Sequence, residues 1–216
     1  MKLVKDYKLS LLVTPVLFIA GTLIFAAFPR NTGTILSLSF AGLVLVAGVI
    51  AYNIRKPGDI RSEFGLEPVS LRKLPLFFAG LIGGVLFATM YRKDLGLHQF
   101  PAGLSGFAFT AAAIGFTEEL LFRGFLQTRT RKISIALSIV IATSSHTAYK
   151  VMLFASLGPL PDVNLLYLAF WTFIVGLFFG ILKEWSGSTL TPAAGHVAFD
   201  ILAYGDRTQI PWWIWA

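Results

Sequence analysis

The chain has 216 residues, of which 56% are hydrophobic and only 13% charged, against roughly 25% charged residues in a typical soluble domain. It has no cysteine, which excludes disulfides, thiolate catalysis and zinc–thiolate sites. Apolar runs recur along its whole length, so residues 1–216 read as one all-α integral membrane domain, and the net charge of +7 then signals membrane orientation rather than nucleic acid.

Seven apolar segments follow in chain order, at about 9–28, 34–54, 74–91, 102–128, 133–155, 164–183 and 188–204. The first follows a basic start from Met1 to Lys8 and is long enough to stay attached as a span rather than be removed as a leader. The breaks between segments carry turn or charge signals: Pro29-Arg30-Asn31, Arg55-Lys56-Pro57-Gly58-Asp59, Arg92-Lys93-Asp94, Arg129-Thr130-Arg131-Lys132 and Gly158-Pro159-Leu160-Pro161-Asp162. With the N-terminus cytoplasmic, the inner loops hold most of the basic residues, including Arg55, Lys56, Arg61, Arg72, Lys73, Arg129 and Lys183. The outer loops then hold Arg30, Arg92, Lys93, Lys150 and Arg207. Seven spans put the C-terminus outside, where Pro211-Trp212-Trp213-Ile214-Trp215 suits an aromatic belt or a short eighth piece.

Arg123 is expected to be the one basic residue within a span. Glu118 and Glu119 share its segment, His146 lies in the fifth, and His196 and Asp200 lie in the seventh. A charge at the bilayer centre costs at least about 2.5–3.5 kcal/mol, so such residues mark pairing, a wet cavity or chemistry. At about 1.5 Å rise per residue, Glu118, His146 and Asp200 sit roughly 16, 20 and 18 Å from the inner ends of their helices, and His196 roughly 12 Å. These depths approach the middle of a core about 30 Å thick.

Adjacent helical residues point about 100° apart, so Glu118 and Glu119 serve different ends. Glu119 and Arg123 are i and i+4, close enough for an ion pair that acts as a structural clamp. Glu118 reads either as a general base or as a carboxyl hydrogen-bonded to another helix. His146, in Ser144-Ser145-His146, reads either as a helix contact or as the partner of Glu118 around a water. His196 and Asp200 are again i and i+4, either as an aspartate orienting its own histidine or as two groups aimed at a substrate carbonyl. Gly80-xxx-Gly84 and Gly176-xxx-Gly180 fit close helix packing. The sequence has no H-E-x-x-H, P-loop or G-x-S-x-G motif, so those enzyme classes lose support.

Glu118-Glu119-xxx-Arg123, then His146, then His196-xxx-Asp200 resembles the three-motif signature of the CAAX protease and bacteriocin-processing family, which includes the type II CAAX prenyl endopeptidases. Glu-Glu-Leu-Leu-Phe-Arg-Gly is close to its first motif, and Gly187-Ser188-Thr189-Leu190-Thr191-Pro192 looks like the approach to its third. The resemblance covers residues 107–204, within a core at 102–204. It implies about seven transmembrane helices around a polar intramembrane cavity open to the cytosol, and peptide-bond hydrolysis within the bilayer. Residue by residue, it implies that Glu118 and His146 activate water, that His196 and Asp200 stabilise the oxyanion, and that Arg123 anchors Glu119. The family includes proteins described as metalloproteases and others described as metal-independent glutamate proteases. A zinc ion, if one is used, would fall on Glu118, His146 and His196.

Two positions depart from the family pattern. Ala142 stands where Phe is common, which touches packing. Asp200 stands where Asn is common, and an amide donates to an oxyanion whereas a carboxylate does not. Asp200 is therefore expected to be protonated in the working enzyme, or else to orient His196 or bind metal. The implied partner is a membrane-associated or lipidated peptide, prenylated or not. The alternative from another class is a non-catalytic membrane partner, an immunity protein or regulatory scaffold, which has no need to keep every polar position. A proton-relaying transporter is a third reading, but no inverted repeat supports it.

Overall fold

The computed structural model describes residues 2–27, 33–54, 57–156 and 164–207. They form eight helices and no strand: α1 (Lys2–Ala27), α2 (Gly33–Asn53), α3 (Pro57–Glu63), α4 (Leu74–Asp94), α5 (Gly106–Glu119), α6 (Ile135–Ser156), α7 (Leu165–Ser186) and α8 (Leu190–Tyr204). A 3₁₀ turn (Leu71–Lys73) leads into α4. A π-helical segment (Leu120–Gln127) continues α5 and ends in the short turn Thr128–Thr130. Each of the seven apolar segments became a helix. The addition is α3, seven residues opened by Pro57 within a stretch read as a break. The expected breaks at 29–31 and 158–162 and the tryptophan-rich ending lie outside the described residues.

Two helices among the described residues are long and apolar enough to cross a membrane, Leu71–Asp94 and Leu165–Ser186. Shorter apolar stretches run over Leu11–Ala27 and Leu38–Asn53. The hydroxyls, His146 and Lys150 dilute α6, and α8 has only 15 residues. The distribution of side chains is inverted relative to a soluble protein. Phe40 (63% exposed), Leu166 (80%) and Trp185 (64%) face outward, while Arg92, Glu119, Arg123 and Gln127 are at most 1% exposed. A broad apolar exterior of this kind suits lipid.

The chain divides into two compact units. The first comprises residues 1–63 and 125–177. Here α1 packs against α2 and α6. α1 and α2 meet at glycines, since a Cβ on Gly42 would lie 2.5 Å from the Phe25 nitrogen and 2.7 Å from the Gly21 carbonyl oxygen. Ser39 Oγ donates to the Phe25 carbonyl at 3.1 Å, and the Phe18 and Phe125 rings lie 5.3 Å apart. Arg129, expected in a loop, is buried and pairs with Glu63 at 3.3 Å.

The second unit comprises residues 64–124 and 178–216. α8 packs against both α4 and α5. Gly80 and Gly84 allow the first contact: their Cβ positions would meet the carbonyl oxygens of Thr191 and Gly195, the small-residue packing that their spacing suggested. α7 turns into α8 through Gly187, whose φ of +72° is left-handed and whose N–H donates to the Lys183 carbonyl at 2.9 Å. The start of α8 is tied to the 64–65 strap, with Thr189 N donating to the Gly65 carbonyl and Thr189 Oγ1 to the Phe64 carbonyl, both at 2.8 Å. Ser105 caps α5 by accepting from the Ala108 N–H at 3.4 Å.

Candidate active site

In the second unit, α5 and α8 bring five of the six singled-out side chains to one place. Glu119 is the last residue of α5 and is fully buried. Its Oε1 receives two donors, Arg123 Nη1 at 3.1 Å and His196 Nδ1 at 3.0 Å. Arg123 stands in the π-helical segment, whose i→i+5 bonds widen the turn that carries it. Such segments recur at functional sites, because they re-aim side chains that a regular helix would disperse.

The donor pattern sets the histidine tautomer. A Glu119 carboxylate paired with the guanidinium 3.1 Å away can only accept. His196 Nδ1 therefore carries the proton, leaving Nε2 to face Asp200, whose Oδ2 lies 3.7 Å off. That gap is too long for a direct hydrogen bond. The His196 ring lies near Phe179, with centroids 6.1 Å apart, and Phe199, at 6.4 Å. These apolar rings lower the local dielectric and strengthen the charged contacts beside them. Glu118 is 3% exposed and within electrostatic reach of His196.

The carboxylate–imidazole contact is the main departure from the sequence reading, which gave Glu119 to Arg123 alone. Glu119 holds both, so it joins α5 to α8 as well as neutralising the guanidinium. The sequence reading also missed Gly115, one turn before the glutamates. The three heavy atoms nearest to a Cβ there are Asp200 Oδ2, His196 Cδ2 and His196 Nε2. A signal was available, since positions 115, 118 and 119 share one helical face.

His146 lies in the first unit on α6. It is 4% exposed, and its ring stacks with that of Tyr149, with centroids 6.4 Å apart and planes at 18°. Among the described residues no group of three or more His, Cys, Asp or Glu is arranged to hold a metal ion.

Arg92 is corrected from an outer-loop cation to a buried clamp, so Arg123 is not the only arginine held inside the protein. It is 0% exposed, at the end of α4. Its Nε donates to the His98 carbonyl at 2.6 Å, and its Nη1 and Nη2 hold Asp206 at 2.9 and 2.7 Å. Nη1 also reaches the Leu202 and Ala203 carbonyls, both at 3.3 Å, which are among the last carbonyls of α8. The guanidinium hydrogen bond holds the Asp206 carboxyl at about 2, below its ordinary 3.8. Lys183, read as a loop residue, is likewise buried, in the last turn of α7, where it pairs with Glu184 at 3.2 Å.

Residues 100–202 match the family model described as Type II CAAX prenyl endopeptidase Rce1-like. No curated protein and no solved structure matches the chain. The matched stretch contains Gly115, Glu118, Glu119, Arg123, His146, His196 and Asp200, whereas Arg92 and Asp206 fall outside it. Over residues 100–202, then, the chain is similar to the type II CAAX prenyl endopeptidase family, a membrane-embedded family and the one its three motifs resemble.

Proposed function

We propose that the protein is an intramembrane endopeptidase that hydrolyses peptide bonds of membrane-associated peptides, lipidated ones included, by a water activated on its own side chains. It would cross the bilayer about seven times with a cytoplasmic N-terminus, as the distribution of basic residues suggests. The observation that carries the reading is the Arg123–Glu119–His196 contact beside Glu118 and Asp200. Burying this many ionisable groups in an apolar helical protein is costly, and such groups mark pairing or chemistry.

In this mechanism Glu118 takes a proton from water, with His146 assigned to the same step by the family motif. The oxygen adds to the scissile carbonyl carbon, and the carbonyl oxygen becomes an oxyanion. Nδ1–H of His196 is committed to Glu119, so the donor to the oxyanion is a single proton carried on Nε2 or on Asp200. Collapse breaks the C–N bond, and the proton held by Glu118 passes to the leaving amine. The balance is peptide plus water giving acid plus amine. General acid–base steps of this kind contribute about 10²–10⁴-fold, and a preorganised oxyanion donor about 10²–10³-fold.

With the proton on Asp200, an amide is a fair substitute. Asp200→Asn is expected to keep much of the activity, and its complete loss would count against a neutral Asp200. The general test is reconstitution with a peptide library, comparing parent, Glu118→Ala, His146→Ala and His196→Ala, each with and without a chelator. Cleavage should vanish in all three variants while each still inserts. Equal cleavage by parent and Glu118→Ala would remove that residue from the mechanism, and no cleavage by the parent would favour the scaffold reading. Loss on chelation would favour the zinc alternative on Glu118, His146 and His196.

A further inference from the structure

Several glycines in the second unit make room for backbone. Gly84 faces the carbonyl oxygen, carbonyl carbon and Cα of Gly195, and Gly80 faces the Thr191 carbonyl. Gly83 faces the Phe178 ring, whereas Gly115 faces ionisable groups: the three heavy atoms nearest to its missing Cβ all belong to the side chains of His196 and Asp200. Gly115 is itself buried. The imidazole atoms concerned lie on the Nε2 edge, at 2.9 Å for Cδ2 and 3.1 Å for Nε2, while Nδ1 is engaged with Glu119 on the other edge.

We infer that Gly115 is a positioning residue for the proposed hydrolysis: its bare Cα is the floor on which the Nε2 edge of His196 and the Asp200 carboxyl rest. This inference rests on the peptidase reading for its meaning, but not for its geometry. A methyl group at 115 would displace the Asp200 carboxyl and tilt the imidazole about its Nδ1–Glu119 bond. The pair that faces the oxyanion would then move while the α5–α8 tie stayed in place. Packing of the fold does not require the glycine, because a short side chain can move aside where a backbone cannot. Alanine also favours a helix over glycine.

The test is Gly115→Ala in the full chain. Its thermal midpoint should equal or exceed that of the parent. Its kcat should fall by about 10²-fold, the cost of a misplacement near 1 Å, with KM little changed because binding of the substrate is not the target. In the Asp200→Ala background the same change should cost little more, since the carboxyl it collides with is gone. Independently of activity, ¹⁵N spectra of histidine-labelled protein should show the His196 Nε2 signal moved by Gly115→Ala and the Nδ1 signal held. An unmoved Nε2 signal, a parent-like kcat or losses that multiply across the two backgrounds would each overturn the inference. So would a Gly115→Ala protein that fails to fold and is not rescued by Asp200→Ala. If the parent cleaves nothing, the peptidase reading falls, and the spectra still decide the placement of Gly115.

Discussion

Replacing Glu119 by glutamine removes one charge and keeps the shape. Arg123 is 1% exposed and Glu119 0%, so the variant takes the carboxylate away from a buried guanidinium. Breaking one member of a buried pair costs about 3–5 kcal/mol. The remaining amide oxygen can still accept from one of the two donors, which recovers part of a charge-assisted bond worth about 1.5–3 kcal/mol. We therefore expect a loss near the lower bound, about 3 kcal/mol, read from SDS-induced unfolding in mixed micelles. Adding Arg123→Met removes the buried charge at similar volume, and stability should return to within about 1 kcal/mol of the parent, because an apolar replacement of a whole buried pair is often neutral. Cleavage should not return with it. Without a carboxylate on Nδ1 the imidazole loses the partner that sets its tautomer and angle, and activity should stay down by about 10²-fold or more. A double variant less stable than Glu119→Gln alone, or one that cleaves like the parent, would refute this account.

Three other outcomes follow from the geometry. The Asp206 carboxyl sits at about 2 in the folded chain against an ordinary 3.8, so its contribution to stability is full above pH 3.8 and is lost as the pH falls toward 2. Unfolding followed between pH 5 and pH 2 should show this loss in the parent and not in Asp206→Asn. Gly84→Ala would drive a methyl into the Gly195 backbone and should destabilise by about 1–3 kcal/mol or more. Gly48→Ala meets nothing within 4 Å and should be neutral or stabilising by up to about 1 kcal/mol, so comparing the two by thermal unfolding separates a packing glycine from an idle one.

The helices were legible because a membrane-type chain writes each span as one apolar run, and the chain of 216 residues has seven such runs. The Glu119–Arg123 pair was legible because i and i+4 share a face. The Glu119–His196 bond was not, since 77 residues separate the partners and no local pattern encodes which helices meet. Arg92 was misread for the same reason. In Tyr91-Arg92-Lys93-Asp94 it resembles any loop cation, and only Asp206, 114 residues on, reveals its role. The π-helical register of Leu120–Gln127 is not written in residue type, for apart from Gly124 the segment reads as a regular helix. Gly115 was legible in principle from its offset to the glutamates, but glycine in an apolar helix ordinarily means packing.

The attachments of α8 make that helix a strut pinned at both ends. Thr189 hangs from the Phe64 and Gly65 carbonyls, and Arg92 grips the Leu202 and Ala203 carbonyls. Between these pins the helix has no slack in length or phase. Inserting or deleting a single residue there would slide His196 by about 1.5 Å and swing it by about 100°, off Glu119 entirely. The spacing between the pins is thus a ruler for the chemistry, and sequence changes within it should be tolerated as substitutions but not as changes of length.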